Sequence, residues 1–86
     1  MAKVAKLTKK VVENIDPAGK EVFLWDMQLS GFGVRVKPRG TRTYLVQYRN
    51  QHGRTRRLAL GQHGVLTCEQ ARKLAAQNLA LASYFE

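Results

Sequence analysis

The chain has 86 residues, enough for one small domain that buries only roughly 60% of the surface its unfolded form exposes, so a large enclosed catalytic cavity is not expected. Fifteen Lys and Arg against six Asp and Glu give a formal net charge of +9, and 44% apolar residues with two prolines are the composition of a folded module rather than a disordered tail. A single cysteine, Cys68, and two histidines, His52 and His63, exclude an internal disulfide and a four-ligand Cys/His zinc site.

In chain order, Thr8 is placed to cap a short helix of about two turns that carries Val11, Val12 and Ile15 on one stripe and stops at Asp16-Pro17-Ala18-Gly19. Residues 21–26 are rich in β-formers, Val22, Phe23 and Trp25 among them, and read as a possible extra strand. Strict alternation follows in Phe32-Gly33-Val34-Arg35-Val36. Lys37-Pro38-Arg39-Gly40 supplies a turn, with Pro38 presetting its φ and Gly40 free to take a positive one. Residues 43–49 form the next strand, Asn50-Gln51-His52-Gly53 the next turn, and residues 54–60 a last strand closed by Gly61. The period then changes to that of a helix: Thr67 and Gln70 form a capping box, and Ala71, Leu74, Ala75, Leu79 and Ala82 share an apolar face, with Arg72, Lys73 and Gln77 pointing elsewhere. The expectation is one α+β domain over residues 1–86, a three- to four-stranded antiparallel sheet covered on one face by the C-terminal helix, with a short helix at the N-terminus. No run is apolar enough for a membrane span or a signal core, so the chain is expected to be intracellular, in the cytoplasm.

Charge is segregated along this scaffold. No acid lies between Asp26 and Glu69, a stretch that carries Arg35, Lys37, Arg39, Arg42, Arg49, Arg54, Arg56 and Arg57. Arginine's planar fork suits phosphate and guanine edges, which makes nucleic acid the first partner to consider. Because residues two apart share a side of a strand, the more apolar set (Phe32, Val34, Val36, Tyr44, Val46, Tyr48, Leu58 and Leu60) belongs under the helix. The free face then presents Arg35, Gln47, Arg49, Thr55 and Arg57, and arginine and glutamine are the residue types that fork onto guanine and adenine in the major groove. On this assignment the free face holds no aromatic side chain. Lys37, Arg39 and Arg42 around one turn, and Arg54 and Arg56 beyond the other, are placed to grip flanking phosphates.

These residues also carry a resemblance. Leu24-Trp25-Asp26, Leu29-Ser30-Gly31-Phe32-Gly33-Val34-Arg35-Val36, Thr43-Tyr44-Leu45-Val46-Gln47-Tyr48-Arg49, Arg56-Arg57-Leu58-Ala59-Leu60-Gly61 and the segment from Leu66-Thr67 through Ala71-Arg72 follow one another. Their order and spacing resemble the N-terminal domain of phage and genomic-island integrases of the tyrosine recombinase class, over residues 7–79. The resemblance implies a small sheet with helices that binds arm-type sites on double-stranded DNA. It further implies a longer parent recombinase, in which other integrase protomers and accessory DNA-bending proteins are partners. His63-Gly64 stands where the family usually has an aromatic-proline pair, and the last residues lack the Gly and Asp-Pro that commonly end its domain.

The residues give no catalytic constellation, and neither metal nor cofactor is expected. Tyr44, Tyr48 and Tyr84 have no base adjacent to activate them and read as packing aromatics. Cys68, just inside a helix start, reads as a structural thiol. Gly31-Phe32-Gly33 is not a dinucleotide loop, since Val36 replaces the third glycine. Trp25 reads as a half-buried anchor for the N-terminal segment. Two other classes fit the charge: an RNA-binding module of ribosomal type and a basic protein-interaction domain.

Overall fold

The first element is β1 (Lys3–Ala5), followed by the short helix α1 (Lys9–Glu13). The Thr8 hydroxyl oxygen accepts from the Val11 N–H at 3.2 Å, capping α1 as its sequence demands. Then come β2 (Val22–Asp26), β3 (Phe32–Val36), β4 (Arg42–Arg49), β5 (Thr55–Gln62) and the long helix α2 (Cys68–Phe85). This computed structural model describes residues 3–49 and 52–85, with side chains over 4–49 and 52–81. The expected turn residues Asn50 and Gln51, the side chains of Ala82 and Tyr84, and the tail end at Glu86 lie outside the described residues.

The sheet has five strands in the order β1-β2-β3-β4-β5, not three or four. Strands β2 to β5 form the expected antiparallel meander. The addition is β1, which pairs parallel to β2 with Val4 opposite Trp25. Three residues are too few to show an alternation, and a parallel pair must be closed through a crossover, here α1. The turn after β3 closes as expected, the Gly40 N–H donating to the Lys37 carbonyl at 2.8 Å with Gly40 at φ 94. Strand β5 runs past Gly61, its expected end. Tyr44 faces Gly61 while Leu45 faces Ala59, so Leu60 is the extra residue of a β-bulge.

The alternation assigns the core correctly for most of its members. Phe32, Val34, Val36, Tyr44 and Val46 are fully buried on the side of α2, with Leu7, Val12, Leu24, Ala71 and Ala75. Both bonds of the capping box form: the Gln70 N–H donates to Thr67 Oγ1 at 3.1 Å and the Thr67 N–H to Gln70 Oε1 at 3.0 Å. The expected cover over β5 is incomplete, because β5 is the sheet edge and α2 lies nearer its middle. Leu58 is 45% exposed and Tyr48 is half-buried.

Two arginines depart from expectation. Arg72 does not point away; its guanidinium turns inward to buried Asp26, with Nε to Oδ2 and Nη2 to Oδ1 both at 3.2 Å. Asp26 also accepts from the Leu7 and Leu29 N–H groups at 3.0 Å each, while Arg72 Nη2 donates to the Leu7 carbonyl at 2.6 Å. Burial alone would raise the Asp26 carboxyl, but Arg72 and the two N–H groups outweigh it and hold it below the usual carboxylate range. This one pair joins the segment before α1, the end of β2 and the helix α2.

Arg42 is the second. It shares its side of β4 with Tyr44 and Val46, so it reaches α1 rather than the turn's outer surface. Its Nε donates to the Val12 carbonyl at 2.6 Å, Nη1 to Gly40 at 2.7 Å, and Nη2 to Ile15 at 2.6 Å and Glu13 at 3.3 Å. Those of Val12, Glu13 and Ile15 lie at and just past the end of α1, which ends at Glu13 with Asn14 as its cap, short of the expected Asp16-Pro17 boundary.

Candidate nucleic-acid interface

Strand register sorts the face away from α2 into rows. Phe23, Arg35, Thr43 and Gln62 form one row, and Trp25, Gly33, Leu45 and Ala59 the next. Gln47 then faces Arg57, and Arg49 faces Thr55. Arg35, Gln47, Arg49 and Arg57 are thus brought together on one side of the sheet, and no acidic residue stands in these rows. Arg57, Arg49 and Thr55 are exposed, whereas Arg35 and Gln47 are half-buried. The Nε of Arg35 is buried and has no hydrogen-bond partner among the described residues.

The face is not free of aromatics. Phe23 and Trp25 both stand on it, half-buried, their rings stacked at 6.1 Å between centroids and 10° between planes. Their side was hidden in the sequence because Val22-Phe23-Leu24-Trp25 is apolar throughout and the one polar residue, Asp26, is the buried one. Trp25 lies against the backbone of β3 at Gly33, where an added Cβ would come within 2.6 Å of its Cε3. Above Phe23 sits the Arg57 guanidinium, its carbon 4.8 Å from the ring centroid. Gln47 Oε1 accepts from Arg57 Nε at 3.1 Å and Nη2 at 2.8 Å.

The residues expected at phosphates divide. Lys37 and Arg39 are exposed at the turn after β3, and Arg54 and Arg56 are exposed beside the turn after β4. These turns lie at opposite ends of β4, whose eight residues span about 26 Å. Arg56 faces Tyr48 and therefore leaves the strand on the α2 side, opposite to Arg57. Arg42, spent on the carbonyls of α1, is not available in the same way.

Chemistry elsewhere is structural. The Tyr44 hydroxyl, without a base nearby in sequence, lies 2.7 Å from His63 Nδ1, and His63 Nε2 lies 2.9 Å from Glu13 Oε2. Burial raises the Tyr44 phenol far above its ordinary value, the opposite of an activated nucleophile. The same histidine bond lowers the Glu13 carboxyl. Burial also pushes up the Cys68 thiol, against the opposing charge of Arg72. Among the described residues no three His, Cys, Asp or Glu gather where a metal ion could be held, and no helix is long and apolar enough to cross a membrane.

No curated protein sequence matches the chain. The family model for the Arm DNA-binding domain matches residues 7–83, which takes in α1, strands β2 to β5 and nearly all of α2. Nearly the whole chain, including the arginine-bearing sheet and the helix that backs it, therefore belongs to the family of arm-type DNA-binding domains of phage integrases.

Proposed function

We propose that this domain recognises particular base sequences by laying the free face of its sheet in the major groove of double-stranded DNA. The observation that carries the reading is the gathering of Arg35, Gln47, Arg49 and Arg57 on one face with no acid in its rows. Major-groove edges are read by such side chains, and a slim sheet enters the groove as a β-ribbon does. Lys37 and Arg39 at one end of β4, with Arg54 at the other, grip the flanking phosphates, whereas Arg56 leaves the sheet on the side away from the groove. The domain serves a longer tyrosine recombinase that integrates or excises a prophage or genomic island in the cytoplasm, alongside other protomers and DNA-bending proteins. By itself it neither cleaves nor joins DNA.

The test is the salt dependence of duplex binding. Three phosphate contacts predict that log K falls with log salt at a slope of about −2.7. A slope near zero would remove duplex binding. The aromatic pair on the face favours one second reading, single-stranded nucleic acid bound by stacking. A single-stranded oligonucleotide that displaces the duplex at equal concentration would support it instead.

A further inference from the structure

Arg57 carries five N–H donors, and two of them, on Nε and Nη2, are taken by Gln47 Oε1. The edge formed by Nη1 and the other Nη2 hydrogen stays open, and it has the spacing of guanine O6 and N7. One further contact holds the guanidinium, and that contact is itself supported from below. The guanidinium lies over the Phe23 ring, Phe23 is stacked on Trp25, and Trp25 rests on a backbone position that only a glycine leaves open. An arginine so held has already lost the rotamer freedom that a mobile one would give up on binding. Gln47 changes role by the same geometry. Both N–H contacts fall on its side-chain oxygen, the acceptor that a fork onto adenine would need.

We infer that Arg57 is a guanine-reading residue held ready by a Phe23–Trp25 stack and by Gln47, which are positioning residues rather than readers. This rests on the proposal that the free face reads duplex DNA. Cation–π contact and the amide bonds both act before DNA arrives, so their loss should weaken one base preference and not general affinity.

The experiment selects bound duplexes from a random-sequence pool with the wild-type chain, then measures affinity for the enriched duplex and for variants at each base pair. Arg57→Lys keeps the charge and loses the planar fork. It should cut the preference at a single G·C pair by roughly 5- to 150-fold while leaving random-duplex affinity within about twofold. Phe23→Leu should cut the preference at that same pair by about two- to fivefold, Phe23→Tyr should retain it, and Phe23→Leu with Arg57→Lys should be no worse than Arg57→Lys alone. If Phe23→Leu melts early, Gln47→Ala supplies the same cycle. A Phe23→Leu effect spread over all positions, or one that adds to that of Arg57→Lys, overturns the positioning role and leaves duplex reading intact. A wild-type chain that enriches no motif overturns the reading itself, and the inference with it.

Discussion

Asp26 shows how much a single side chain can organise. Its carboxylate takes N–H groups from two connections and the guanidinium of Arg72, all at 3.0 to 3.2 Å. A group whose folded pKa is depressed contributes stability that is present above its unfolded pKa and lost as pH falls through the folded value. The Asp26 carboxyl is lowered in the fold, so its contribution is complete at neutral pH and disappears in acid below roughly pH 4. Asp26→Asn should therefore melt earlier at pH 7, by about 3 kcal/mol, and the gap to wild type should narrow in acid. Thermal melts of both proteins across about pH 3 to 7 would check it. None of this pairing was legible locally, since Asp26 and Arg72 are separated by 46 positions and the helical period turns Arg72 away from the apolar face.

Elements were legible where their signals are local. The Thr8 cap, the Thr67–Gln70 box and the turn at Gly40 all bond within four residues, so the sequence alone places them. β1 was not, because its reason to exist is the edge of β2. Arg42 falls between these cases: its alternation with Tyr44 and Val46 places it on the α1 side, but its proximity to a basic turn suggested phosphate. The two roles separate cleanly in experiment. Arg42→Ala should destabilise the fold by about 1 to 3 kcal/mol, leaving helix carbonyls without donors, and should leave the salt slope of DNA binding unchanged. Arg39→Ala should melt as wild type and reduce that slope by about 0.9. Denaturation and salt titration of both variants decide between them.

At the scale of the whole molecule, the sheet has a side covered by α2 and an opposite side that carries Arg35, Arg49 and Arg57. Val46 is fully buried beneath α2, whereas Thr55 is exposed beside Arg49 on the opposite side. Val46→Asp should cost several kcal/mol, of order 3 to 5, by burying an unpaired charge. Thr55→Asp should fold normally and bind duplex DNA more weakly, since it puts an acid on an acid-free face. Equal melting temperatures for the two would invert the assignment of the faces. The sequence by itself determined the meander, the helix that backs it, the parity of β3 and β4 and the basic middle of the chain, because alternation, capping and composition are written in neighbouring residues. Only the tertiary structure decided that Phe23 and Trp25 stand on the free face, that Arg57 lies over the Phe23 ring, and that Arg42 and Arg72 serve the fold. Those outcomes depend on strand register and on partners 10 to 65 positions away, which no local pattern encodes.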